Sequence, residues 1–244
     1  MEHLSENLSG SLQYYFTDPN GAWYLVLITF VIAMLASFNV KFTFWKFRNV
    51  NSASGIKAHE AARKILDSHG LHHVGIENVH GNLTDHYDPR CNTVRLSAST
   101  CNSSSVAAIG IAAHECGHAI QHAQQYAPIK VRESLFPVVN VANRTWLYLV
   151  IAGMFFPLFP GLIMIYIGIA AFALTALFQL ITLPVEFDAS RRAIDVISAN
   201  NILGYDEQKG ARSVLNAAAM TYVAALMVSL AQLIRLLAIL NRRR

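Results

Sequence analysis

Residues 145–185 read TWLYLVIAGMFFPLFPGLIMIYIGIAAFALTALFQLITLPV, and no charged side chain interrupts them. About 20 apolar residues cross a bilayer as a helix, so this run is long enough for two crossings and a tight turn. Pro157, Pro160 and Gly161 mark the turn. The hairpin is expected to run out over 136–156 and back over 161–183, which returns the chain to the side it left.

The rest of the composition agrees. Of 244 residues, 54% are hydrophobic and 14% charged, against roughly 25% charged in soluble domains. That argues against a purely soluble protein. The apolar content, with 13 Gly and 7 Pro, also excludes disorder and collagen-like fibres. Residues 19–40 form a second uncharged stretch, followed by Lys41, Lys46 and Arg48. Glu2, Glu6 and Asp18 precede it without any Lys or Arg, unlike the basic start of a signal peptide, so it reads as a retained span. With Lys57, Arg63 and Lys64 also following, the positive-inside rule puts the N-terminus outside and residues 41–134 in the cytoplasm. A third uncharged run, 213–234, reads as a last span. Arg235 and Arg242 to Arg244 would then lie outside, against that rule, and an interfacial amphipathic helix is the alternative. The net charge of +4 reports topology here, and no RNA- or DNA-binding motif is present. Cys91, Cys101 and Cys116 are too few for a disulfide scaffold and read as free thiols in a reducing compartment.

Residues 41–134 are the part polar enough for an aqueous domain. A helix is expected over 56–69, with Ala58, Ala61, Ala62, Ile65 and Leu66 on one face and Gly70 just past its end. Short strands follow at 72–79, 82–87 and 93–97, the last two joined by Asp88-Pro89-Arg90. An exposed edge at 93–97 could bind an extended peptide by strand addition, or the strand could belong to an ordinary packed hairpin. The hydroxyls of Ser103 to Ser105 would cap a helix over 106–125, stopped by Pro128.

That last helix carries His114-Glu115-Cys116-Gly117-His118, an HExxH motif. Positions i and i+4 stand one above the other on a helix, so both imidazoles can bind one zinc ion. Glu115 flanks that face and can take the proton of a water attacking a carbonyl. The bland reading is two surface histidines on an Ala-rich helix. A third ligand is required. The metzincin pattern fails because Gln121 and Gln124 stand where it needs Gly and His. A site-2-type intramembrane protease would need the motif within a span and a later Leu-Asp-Gly segment, which the chain lacks. A Glu from a second helix remains, and Glu186 is the first charge after the hairpin. Its alternatives are a carboxylate at a helix start or a partner of Arg191. Asp188 is a competing or supporting group, and Ser190, one turn after Glu186, could hydrogen-bond a metal-bound His. His122 is expected to lie outside the ligand set.

The runs Leu83-Thr84-Asp85-His86-Tyr87-Asp88-Pro89-Arg90, Val94-Arg95-Leu96-Ser97, Ala112-Ala113-His114-Glu115-Cys116-Gly117-His118-Ala119-Ile120-Gln121 and Leu183-Pro184-Val185-Glu186-Phe187-Asp188-Ala189-Ser190-Arg191-Arg192-Ala193 closely resemble the YugP-like family of neutral zinc metallopeptidases. The resemblance covers about residues 20–240. It implies a membrane-bound, gluzincin-like endopeptidase holding one Zn2+ per chain through His114, His118 and Glu186, with Glu115 as general base. Two departures stand out. Cys116 replaces a small or aliphatic residue, and on a helix it points about 200° from His114, away from any metal. Thr100-Cys101-Asn102 replaces a segment that usually carries Tyr, which could alter the substrate rim.

The expected molecule is a mainly α, multispanning membrane protein with a small α+β zincin-like cytoplasmic domain. Residues 1–40 hold the tail and first span, 41–134 the zincin-like domain, 135–185 the hairpin, 186–212 a cytoplasmic helix with the third ligand, and 213–244 the last helix and basic tail. It would hydrolyse peptides or damaged membrane proteins at the cytoplasmic face of the plasma membrane. Its partners would be that substrate and the lipid bilayer, with no nucleic acid. No GxxxxGK[ST] motif supplies an ATPase. The rival from another class is a non-hydrolytic, zinc-stabilised membrane scaffold, which would have no use for Glu115. A small transporter lacks support, because its spans carry no paired charges.

Overall fold

A computed structural model describes residues 14, 17–156 and 158–242. Its elements in chain order are α1 (Pro19–Phe47), α2 (Ala58–Ser68), β1 (Gly75–Val79), β2 (His86–Asp88), β3 (Thr93–Ser97), α3 (Ala98–Cys101), α4 (Val106–Ala123), α5 (Ala127–Phe155), α6 (Leu158–Ala199) and α7 (Tyr205–Asn241). The chain divides into two compact units. One comprises residues up to 35, 131–182 and those from 222 onward, and the other 36–130 with 183–221.

The first unit is helical. α1, α5, α6 and α7 are each long and apolar enough to cross a membrane. The shortest have 29 residues, or about 44 Å at 1.5 Å per residue, against a hydrocarbon core of about 30 Å. α5 and α6 approach backbone to backbone. A methyl group added at Gly153 would lie 2.5 Å from the Gly161 carbonyl oxygen, and one at Gly168 2.9 Å from that of Trp146. Small residues at such crossings allow the close packing that joins helices in lipid, where no hydrophobic drive separates helix from solvent. Val150, Ile165, Ile169, Phe172, Leu236 and Leu240 make the core of this unit. The Arg235 guanidinium lies 4.3 Å from the Trp23 ring centre, and Arg242 donates to Asp18 at 3.0 Å. These contacts set the end of α7 beside the start of α1.

The second unit packs helices on a three-stranded sheet of order β1-β3-β2. β1 pairs parallel with β3, Gly75 opposite Thr93, and β2 pairs antiparallel, Tyr87 opposite Val94. β3 is therefore central. The edge expected at 93–97 is covered on both sides, because the turn at 88–90 folds β2 back along one side and β1 takes the other. The available edges belong to β1 and β2. The core gathers Ile65 and Leu66 of α2, Val94 and Leu96 of β3, Ile109 and Cys116 of α4, and Ile197 of α6. Gly70 has φ +71° just past α2, the left-handed conformation that glycine adopts without strain. The Ser105 hydroxyl caps α4, accepting from the Ala108 amide at 3.2 Å.

Pro128 and Pro184 lie within helices. Pro128 does not simply stop a helix. The chain turns at Gln125, φ 58°, and Pro128 sits in the first turn of α5, where its missing N–H has no helical partner to lose. Pro184 lies inside α6, so residues from 186 onward continue the hairpin's return helix rather than starting a new one. The lost bond and ring clash cost about 3 kcal/mol in a helix interior. Here the buried Thr182, Val185 and Glu186 on either side hold the helix through it.

One guanidinium ties the sheet together. Arg95 on β3 donates to Glu77 of β1 at 3.0 Å and to Asp88 of β2 at 2.6 Å. The Arg90 and Arg95 guanidiniums beside Asp88 hold its carboxyl well below the usual carboxylate range. A carboxyl depressed on folding stabilises the fold fully above its unfolded value, about 3.9, and loses that contribution as pH falls below it. The wild type should therefore lose more stability than Asp88→Asn between pH 5 and pH 3, read as the drop in urea midpoint. Equal drops would show that the pair contributes nothing.

Candidate metal centre

α4 brings His114 and His118 one turn apart on the same face, their ring centres 4.7 Å apart and nearly perpendicular. α6 crosses at Gly117, where an added methyl group would sit 2.6 Å from the Ala189 carbonyl oxygen. Only glycine admits that approach. It carries Glu186, about one turn before Ala189, to the two imidazoles. Glu186 Oε2 lies 3.4 Å from His114 Nε2 and 3.7 Å from His118 Nε2. One ligand atom from each of the three residues falls within 4.8 Å of the others. Glu186 is 3% exposed and lies well inside α6, so it is not a helix-start carboxylate.

The surroundings fix how the rings face. The Gln121 amide nitrogen donates to the Val185 carbonyl at 2.8 Å and to Asp188 Oδ2 at 2.9 Å. Both partners are acceptors, so the amide cannot be flipped, and its Oε1 faces His118 Nδ1 at 3.0 Å. Nδ1 must then carry the proton, which leaves a lone pair on Nε2 of the neutral ring, facing a carboxylate. A cation between them, or a second proton on the ring, is needed to reconcile the two. Ser190 Oγ stands 3.2 Å from His114 Nδ1, the place expected for it. Tetrahedral bonds of about 2.1 Å separate ligand atoms by roughly 3.4 Å. The two measured separations are close to that, and two nitrogens with one carboxylate oxygen are a donor set that zinc accepts.

Glu115 follows His114 and is buried, 8% exposed. Burial pushes its carboxyl up to about 7, with the Glu186 charge acting in the same direction and His114 against it. The Tyr87 amide of β2 donates to this carboxylate. The other candidates fall outside the cluster. Asp188 accepts from Arg191 and Arg192 as well as from Gln121. His122 packs at a tilt against Tyr87, 6.0 Å between ring centres. His72 pairs with Asp67, and His86 Nδ1 lies against the Thr84 carbonyl. Cys116 is fully buried with its thiol toward the Ala62 carbonyl at 3.7 Å, as its helix angle requires, and burial raises its pKa. Thr100 and Cys101 are buried, Thr100 donating to Asp85, so they form core rather than rim. The sequence reading missed the role of Gln121. It lies three residues after His118, hence on the same helix face.

Two imidazoles and a carboxylate converging beside a buried glutamate make the arrangement of a zinc-dependent hydrolase. The family described as "Putative neutral zinc metallopeptidase" matches residues 22–241, and the chain belongs to that family. It is 44% identical over 221 residues to the "Putative membrane protease YugP" of Bacillus subtilis (strain 168), covering 90% of this chain and 97% of that protein. No solved structure gives a significant match.

Gly117→Ala separates two opposing effects. Alanine gains about 1 kcal/mol of helix propensity, whereas overpacking against an unyielding backbone costs about 1–3 kcal/mol. The second should win. A lower melting temperature and lost metal uptake are expected, measured by thermal unfolding and zinc titration. An unchanged melt with full zinc uptake would show that α4 and α6 do not depend on this contact.

Proposed function

We propose that the protein is a membrane-bound zinc endopeptidase whose metal is held by His114, His118 and Glu186 and whose general base is Glu115. The observation that carries this reading is the convergence of the three ligand atoms next to a buried carboxylate. Zinc bound there would supply a Lewis acid that polarises a scissile carbonyl and makes water a nucleophile near neutral pH. Ser190 and Gln121 orient the two imidazoles, as outer partners of metal ligands commonly do. Glu115 accepts the proton of the attacking water and returns one to the leaving amine. Burial, which favours the neutral carboxyl, suits both halves of that transfer. The Tyr87 amide contact sets β2 next to Glu115, and β2 is an outer strand of the sheet. An extended peptide adding to β2 would pass the base, so strand addition is assigned to β2 rather than to β3.

In this reading residues 41–134 and 186–212 carry the zincin-like chemistry, and 1–40, 135–185 and 213–244 anchor it in the plasma membrane. The basic residues after α1 support a cytoplasmic face for the chemistry. Substrates are peptides or damaged membrane proteins, one zinc is bound per chain, and nucleic acid has no part.

Detergent-purified, zinc-loaded protein should cleave an unfolded protein. Glu115→Gln should do so 10²- to 10⁴-fold more slowly, the usual size of general-base catalysis, and chelation should stop the wild type. Equal cleavage by both would remove Glu115 from the mechanism. Zinc binding without cleavage by either would favour the scaffold. A second test needs no turnover: Gln121→Leu should weaken zinc binding about 10- to 100-fold in competition with a chromogenic chelator. Unchanged affinity would show that Gln121 does not orient His118.

A further inference from the structure

A cleft of about 470 Å³ lies between the second half of α6 and the first half of α7. Phe187, Ser190 and Ile194 form one wall, and Arg212, Leu215 and Asn216 the other. Two helix contacts locate it relative to the metal cluster. An added methyl group at Gly110 of α4 would lie 3.2 Å from the Ala211 side chain of α7, while Gly117 of α4 meets Ala189 of α6. His114 lies between these two contacts along α4, and the cleft meets it through Ser190 rather than directly. Ser190 is the shared partition, lining the cleft while its hydroxyl stands 3.2 Å from His114 Nδ1.

Two carboxylates, Asp188 and Asp195, and two guanidiniums, Arg191 and Arg212, line the cleft, and only Arg212 is left without a partner among them. Arg191 pairs with Asp188, and with Asp195 at 3.8 Å. Arg212 is exposed and, among the described residues, makes no ion pair, hydrogen bond or ring contact. It shares its wall with Leu215 and Asn216 and faces Phe187 and Ile194 across the cleft. A guanidinium seeks a carboxylate, and its planar fork suits that partner geometrically. The volume exceeds that of one side chain, leaving room for an apolar stem behind the charge.

We propose that this cleft is a substrate subsite that takes a carboxylate on an apolar stem, with Arg212 as its selectivity residue. The carboxylate belongs either to an acidic side chain or to the C-terminus of a peptide. The assignment of the ligand as substrate rests on the peptidase reading. Arg212 touches the ligand but none of the groups that hold metal or move protons, so it acts on preference rather than on the chemical step.

The test uses full-length, zinc-loaded Glu115→Gln in detergent, which binds without consuming its ligand. The probes are fluorescent unstructured peptides of one sequence, with Glu, Gln or Lys placed in turn at each central position, each made with a free and an amidated C-terminus. Binding is read by anisotropy. At one position Glu should bind about fivefold tighter than Gln, the size of one partly solvated ion pair. Alternatively the free C-terminus should bind tighter than the amide by the same factor, which identifies the chain end as the source. Adding Arg212→Gln should abolish the preference, and Arg212→Glu should turn it toward Lys. Lys209→Gln, a charge removed one turn earlier where Lys209 pairs with Asp206, should change nothing. If Arg212→Glu fails to fold, Arg212→Gln carries the test alone. Unaltered ratios in Arg212→Gln, or no binding by any peptide, would overturn the proposal. An Arg212-dependent preference in a protein whose wild type cuts nothing would keep the cleft and sink the peptidase. Cleavage with no such preference would do the reverse.

Discussion

The contact between Gly117 and the Ala189 carbonyl is the constraint from which the site follows. HExxH on α4 can place two imidazoles on one face, but no residue of that helix can supply the third donor. A second helix must approach close enough for a glutamate side chain to reach across. The absence of a Cβ at position 117 permits this, and small residues such as Ala112, Ala113 and Ala193 keep the surrounding faces flat enough for it to persist. The same approach puts the Val185 carbonyl and Asp188 within reach of Gln121, and Ser190 within reach of His114. One close crossing thus brings the three side chains together and sets the orientation of the two rings.

The sheet serves the site from the opposite direction. Arg95 binds Glu77 and Asp88 from the middle strand, so β2 keeps its place although it is only three residues long. β2 then delivers the Tyr87 amide to Glu115. A buried carboxylate near another carboxylate and two imidazoles is electrostatically costly, and a fixed amide is one of the few donors able to hold it without adding a titrating group. The position of the proposed base therefore depends on an ion pair that is remote from it in sequence.

Much of this was legible in the chain. The spacing of His114 and His118, the return of the chain to Glu186, the hydroxyl of Ser190 and the outward angle of Cys116 all follow from helix periodicity and from an even number of crossings. What failed involved groups whose meaning depends on partners far along the chain. Gln121 was read only as a failed metzincin glycine, because nothing local announces the Val185 carbonyl and Asp188. A separate helix is expected from sequence over 186–212, since the burial on either side of Pro184 that carries one helix through it is tertiary. Periodicity leaves the strand at 93–97 as either an edge or part of a packed hairpin, since it shows which residues face inward but not how many neighbours a strand has. The interior side of Thr100 and Cys101 was hidden for the same reason.

All of α5 and the apolar half of α6 lie between the histidines and Glu186. During synthesis, therefore, the N-terminal portion of the chain can emerge and begin to fold while the centre is still incomplete. The three donors meet only after the hairpin has been inserted and the residues beyond it have returned to dock on α4. A chain that ends before α6 therefore holds the two histidines of α4 without the carboxylate that joins them.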